Sequence, residues 1–196
     1  MEKKYELTEE TLAVDGHVLH RIKALRDFGD VRKGDIGGWI EKEDNLSHDD
    51  DCWVYDNAVV NGYAIIYENA EVCDEAKVSG DARVYGNAIV YGDAEVYGDA
   101  EVYENAIVYG NAIVYGNAKV YGNAEVEKKS DYIVFKNWWS SGRYFTWTRS
   151  NDKWRVGCFY GTGEELINKA YNDSEEKGRE YERVVKYVES IKSEIK

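Results

Sequence analysis

Three histidines, His17, His20 and His48, are the residues of this chain whose ordinary pKa lies near neutrality, which is what a general base needs. His48 stands in the run Ser47-His48-Asp49-Asp50-Asp51 and is the one conceivable base, although its plainest reading is a solvated loop side chain. His17 and His20 are three apart on a strand-like stretch, so they face opposite sides and cannot chelate a metal together. Asp49, Asp50 and Asp51 could hold a cation weakly, but no further spaced oxygen ligands accompany them, and a polar turn explains them. Cys52, Cys73 and Cys158 are odd in number and widely spaced, which suits neither a disulfide framework nor a zinc site and points to a reducing cytosol. The sequence thus predicts no catalytic residue, no metal site and no cofactor.

The elements that position these residues are set by a repeat. Twelve consecutive hexapeptides run from Val54 to Glu125 without insertion, with Val or Ile always first and Ala always fifth. Gly is usual at the third position and Asn or Asp at the fourth, as in Gly86-Asn87. Side chains alternate across a strand, so Ala88 and Val90 point one way while Ile89 and Tyr91 point the other. The invariant pair must line the interior, and Gly with Asn or Asp tolerates the positive φ of a tight corner. Three such edges close an 18-residue coil of triangular section, so 72 residues give four coils of a parallel β-helix.

The stretch Val54–Val126, with copies such as VYGNAI and VYGNAK, resembles the left-handed β-helix or hexapeptide-repeat family. Tyr at position two in nine of twelve repeats departs from the family's commoner small or acidic residue. The upstream segment Leu19–Ser47 also resembles the leader of hexapeptide proteins found in phages and prophages. The resemblance implies a trimer, a bacterial or phage-infected cytoplasm, and two family activities to weigh: acyl transfer with a histidine base, or zinc binding through three histidines. The regular repeats contain no histidine and no extruded loop to wall off substrate. A divergent acyltransferase would therefore have to rely on His48.

Taking every third strand assigns the outward residues to sheets. One sheet carries Arg83, Glu101 and Lys119 in an alternating charge column beside Tyr67, Tyr85, Tyr103 and Tyr121, which reads as solvent-facing. A second carries Glu71/Cys73, Ile89/Tyr91, Ile107/Tyr109 and Glu125/Glu127. Cys73 there has acidic neighbours and no basic activator, so it is not a nucleophile. Ile89, Tyr91, Ile107 and Tyr109 form an apolar patch with an acidic rim, the expected surface for self-association unless the C-terminal segment folds over it.

The chain divides into N-terminal cap strands at 1–30, the β-helix at 31–126, which begins with an irregular coil, and a C-terminal module at 127–196. In the irregular coil Ile36, Trp39 and Ile40 are expected to point inward. The module reads as a three-stranded antiparallel meander followed by a long helix that starts at a Thr162/Glu165 capping box. A seam through Ile167, Tyr171, Ser174, Gly178, Tyr181, Val185 and Val188 runs along it, with a break near Gly178 as the competing reading. The fold class is mainly β with this small α+β appendage.

Charge and aromatics direct the functional expectation. Residues 1–126 carry 26 acidic and 11 basic side chains, net −15, and residues 127–196 carry 12 and 14, net +2, which sum to −13. An acidic body repels phosphates, so direct nucleic-acid binding is not expected, and no segment is apolar enough to anchor in a membrane. Trp138, Trp139, Tyr144, Trp147 and Trp154 of the module are candidate contacts for a protein partner, unless they form a core under the helix. The expectation is a non-enzymatic, oligomeric binding protein that occupies a host factor, such as a defence nuclease or signalling enzyme. The alternatives are acyl transfer through His48 and a sponge for small nucleotides held between subunits.

Overall fold

The computed structural model describes residues 3–137 and 141–194. An antiparallel hairpin, β1 (Tyr5–Val14) and β2 (His17–Ala24), leads to β3 (Ile36–Ile40). Thirteen two-residue strands follow at six-residue intervals, β4 (Trp53–Val54) through β16 (Glu125–Val126). From β7 onward each stacks in parallel on the strand three before it, and β5 on β3, giving sheets in the orders β3-β5-β8-β11-β14, β4-β7-β10-β13-β16 and β6-β9-β12-β15. The chain is a parallel β-solenoid, and the hairpin extends the first of its three walls.

The repeat produces this shape through size. All twelve position-five alanines, Ala58 to Ala124, are fully buried, as are the eleven valines and one isoleucine at position one. Burying each such aliphatic side chain contributes roughly 1.5–3 kcal/mol. The corners demand left-handed backbone: every position-three residue has positive φ, from Gly62 at 69° to Gly122 at 71°. Asp56, Glu68, Asp74 and Glu104 adopt the same conformation at 50°, 59°, 58° and 61° without being glycine. Position four then ties coil to coil along one corner, where Asn69, Asn87 and Asn105 each donate to the next amide oxygen, ending at Asn123.

Both ends of the prism are closed. In each wall an amide donates to the carbonyl one coil on, as Tyr85 N does to Val102 O at 3.0 Å. The last coil has no further carbonyls to reach, and hydroxyls from the C-terminal module replace them. Tyr115 N, Lys119 N and Glu125 N donate to Tyr132 Oη, Thr146 Oγ1 and Ser150 Oγ at 3.3, 3.0 and 2.7 Å. One hydroxyl serves each wall, so a strand edge that would otherwise invite another chain is satisfied.

The module itself differs from expectation in two ways. Its sheet has four strands, β17 (Tyr132–Lys136), β18 (Tyr144–Thr148), β19 (Lys153–Val156) and β20 (Phe159–Gly161), because Gly157 at φ 58° turns the chain inside the third strand expected over Lys153–Phe159. The long helix is two, α1 (Gly163–Asp173) and α2 (Glu175–Ile191). Thr162 caps the first as predicted, with reciprocal bonds to Glu165. The break falls at Ser174 rather than Gly178: Ser174 takes extended φ and ψ, and its hydroxyl accepts from Lys177 N to start α2. Gly178 is instead the point where the Tyr171 ring lies on the facing helix, leaving no room for a Cβ. In the irregular coil Ile40 points inward as expected, but Trp39 lies on the outer face with Leu19 and Val59, buried beneath the hairpin, and Ile36 at the start of β3 is exposed.

Candidate functional site

The N-terminal cap gathers most of the titratable chemistry. Strand β1 runs over the entrance of the solenoid, so Lys4 and Tyr5 are driven into the loop 47–52 and fully buried. The Tyr5 hydroxyl donates to Glu43 O and Leu46 O, and burial pushes its pKa far above the ordinary phenol range. His48 is not a free loop histidine: its ring stacks on Tyr5 with centroids 4.3 Å apart, and its Nδ1 accepts from Lys4 N at 3.2 Å. That acceptor role leaves the proton of the neutral ring on Nε2, which lies 3.8 Å from Glu43 Oε2. Burial lowers the His48 pKa, with the Glu43 charge opposing. Glu43 is held below its usual range chiefly by Lys3, whose Nζ lies 2.6 Å away. With one nitrogen occupied by backbone and the other facing a carboxylate, His48 is built as a wedge between cap and coil.

Lys4 and Cys52 meet beneath this wedge. Lys4 Nζ donates to Cys52 O at 2.8 Å, to Cys52 Sγ at 3.2 Å, and to Asp49 O and Asp50 O at 3.2 and 3.3 Å. Burial depresses the amine's pKa and raises the thiol's, while their contact works against both shifts. The triplet Asp49–Asp51 accordingly uses its backbone carbonyls to receive an ammonium, and its carboxylates sit outside.

A second arrangement was not visible in the sequence. His17 Nδ1 lies 3.0 Å from Glu41 Oε1, and Glu41 Oε2 accepts from Gly62 N at 2.7 Å. The His17 contact and then the Gly62 amide hold Glu41 below the usual carboxylate range. The two residues are 24 positions apart, and only the antiparallel pairing of β2 with β3 brings them together. His20, on the same strand, turns its Nδ1 to Thr8 O instead. The residues that follow the dyad partners, Lys42 and Tyr63, border an open groove of about 500 Å³ that Asn45, Asp81 and Arg83 also line. Lys42 Nζ sits 4.4 Å over the Tyr63 ring there.

The expected faces are assembled in the expected register. Ile89 lies between Glu71 and Ile107, and Ile107 lies beneath Glu125. Tyr91 and Tyr109 stack with centroids 5.3 Å apart and planes within 11°. Ile89, Ile107 and Tyr109 are half-buried and Tyr91 is 36% exposed. Cys73 on the same wall is pushed up to about 12 by burial and then by Glu71, which leaves no thiolate for attack. The other ladder stacks Tyr67, Tyr85 and Tyr103 at 4.7 Å, with Tyr121 tilted at 4.6 Å. It is not solvent-facing at its far end, where Arg155 and Tyr160 of the module cover Tyr103 and Tyr121.

The aromatic residues of the module separate. Trp147 and Trp154 are 1% and 2% exposed, cross-strand partners packed with Phe145, Leu166 and Val185 under the helices. They form a core and offer no contact surface, because a four-stranded sheet this small needs bulky side chains to bury. Tyr144 is half-buried, with Lys136 Nζ 4.9 Å over its ring. Trp138 and Trp139 lie outside the described residues. No helix among the described residues is long and apolar enough to cross a membrane.

Stacked six-residue edges, three walls, a hairpin at one end and a hydroxyl cap at the other define a β-solenoid repeat protein. Residues 54–68, 76–92 and 82–98 match the family model described as the YdcK beta solenoid repeat. A relative named "Uncharacterized acetyltransferase YdcK", from Escherichia coli (strain K12), is 42% identical over 76 residues. The match covers 34% of this chain and 23% of that protein, so the chain spans about a quarter of its length.

Proposed function

We propose that this chain is a non-catalytic β-solenoid that assembles with copies of itself through the Ile89, Tyr91, Ile107 and Tyr109 wall and serves as a rigid binding scaffold. The supporting observation is the pairing of that apolar wall with a cap histidine packed into the fold: His48 stacks on Tyr5 and its Nδ1 accepts from Lys4 N. A trimer, with the patch at each subunit boundary, fits a three-walled prism. Phage origin and occupation of a host factor rest on the likeness of the Leu19–Ser47 leader; such a partner would meet the outer walls, since Trp147 and Trp154 are buried. Light scattering coupled to size exclusion tests the assembly: Ile107→Asp, on an outward position, should yield folded monomer. An oligomer unchanged by Ile107→Asp, or a monomeric parent protein, defeats the assignment.

One observation favours a second reading, acyl transfer: a chain partly identical to a protein named an acetyltransferase also holds the His17–Glu41 pair, next to Lys42 at the border of a groove. Calorimetry with acetyl-CoA separates the two. Saturable micromolar binding lost in His17→Ala or His48→Ala would replace the scaffold reading. A thermal-shift screen with cyclic nucleotides tests storage of small nucleotides between subunits in the same preparation.

A further inference from the structure

We infer that Lys4 and Cys52 form an oxidant-driven covalent cross-link, a sulfenamide joining Nζ to Sγ, which fastens the N-terminal strand to the mouth of the solenoid. The geometry carries this. Nζ is already 3.2 Å from Sγ, inside the range at which reacting atoms are positioned for attack, and both side chains are fully buried. Asp49 O, Asp50 O and Cys52 O fix the nitrogen from its other sides, so it cannot swing away to solvent. Cys73 and Cys158 have no comparable partner: Cys73 faces Glu71, and Cys158 is exposed on the turn between β19 and β20.

The chemistry balances with a hydroperoxide as oxidant. Cys52 Sγ passes its proton to Lys4 Nζ across the 3.2 Å contact, the thiolate so formed attacks one peroxide oxygen, and the O–O bond breaks. The departing hydroxide takes a proton from the ammonium and leaves as water, giving sulfenic acid and neutral amine. The amine lone pair then attacks sulfur, the S–O bond breaks, and the hydroxyl leaves with an amine proton as a second water. Sulfenic acids condense in this way with thiols and with backbone nitrogen, and here an amine is the nearest nucleophile. Cys52 is oxidised by two electrons and the peroxide is reduced. The bond closes a loop from residue 4 to residue 52 that contains the whole hairpin cap, so it acts as a disulfide would on the unfolded chain.

The experiment treats the full chain carrying Cys73→Ser and Cys158→Ser with hydrogen peroxide, then digests and weighs the peptides. The expected result is a joined peptide pair containing Lys4 and Cys52, two hydrogens lighter than the separate peptides combined and released by dithiothreitol. The thermal midpoint should rise on oxidation and return on reduction. Lys4→Arg keeps the cation and removes the condensing amine, so dimedone should label its Cys52 after peroxide while the parent protein stays unlabelled. Separate peptides with oxygen retained on Cys52, or equal dimedone labelling in parent and Lys4→Arg, overturn the cross-link. Resistance of Cys52 to peroxide in folded protein, with full reaction in urea, overturns it as well.

Discussion

Alanine at two corners of the solenoid should report separately on backbone conformation and on the spacing of coils. Gly86 and Gly116 occupy the same repeat position with φ of 76° and 67°. A Cβ at Gly86 would stand 2.6 Å from Glu104 N and 2.9 Å from its Cα, one coil on. A Cβ at Gly116 would meet nothing within 4 Å, because that corner belongs to the last coil. Left-handed backbone costs an alanine about 1–2 kcal/mol, less about 0.4–1 kcal/mol regained by stiffening the unfolded chain. Gly116→Ala should therefore destabilise by roughly 1 kcal/mol. Gly86→Ala adds overpacking against rigid backbone, worth about 1–3 kcal/mol, for a total of roughly 2–4 kcal/mol. Urea titration followed by circular dichroism measures the difference, and amide exchange locates it, with Gly86→Ala loosening the amides around residues 68 and 104 first. Equal losses from the two variants would refute the steric term, and with it the claim that coil spacing is set at the corners.

Three further outcomes follow from the same packing. Tyr132→Phe removes the oxygen that accepts from Tyr115 N and donates to Ile113 O, so it should cost about 1–3 kcal/mol in urea unfolding. Ser174→Ala deletes the cap of α2 and should cost about 1 kcal/mol, while Ser174→Gly should cost only a few tenths. The pH dependence separates two groups of the cap. The lowered pKa of His48 means the unfolded chain binds its proton more readily, so stability is lost as pH falls below about 6.5. Glu43, also lowered, holds its contribution until pH falls through the carboxylate range below 4.5. Thermal midpoints from pH 8 to 3 should thus fall in two steps, and His48→Gln should erase the upper one alone.

The solenoid was legible because its cause is local and repeated. Twelve alanines at one position leave a single size of interior, and the assignment of Ile89, Ile107 and their neighbours to one wall needed only counting by eighteen. The ends were harder to read. Ser174 followed by Glu175 and Glu176 is a local helix-start signal that marks the break, and Gly178 competed with it because its contact with Tyr171 on the facing helix is invisible in spacing. Nor could spacing tell buried tryptophans from exposed ones: Trp147 and Trp154 are cross-strand partners, and the helices that cover them come later in the chain. Lys4, a residue type rarely buried, gave no hint of its place because its acceptors are carbonyls of a loop 45 to 48 residues away. His48 looked solvated for the same reason; the strand that covers it lies at the far N-terminal edge of the chain.

The hydroxyl cap makes length and orientation separate variables. Tyr132, Thr146 and Ser150 each accept from an amide of a different wall, and the three walls repeat the same backbone ladder. Inserting a whole 18-residue turn would lift the terminal module by about 4.8 Å and leave it pointing the same way. Inserting a single hexapeptide would swing it by a third of a revolution onto the neighbouring wall. A lineage of such proteins can therefore change reach in fine steps while keeping its aim, or change its aim in one step with six codons' worth of sequence.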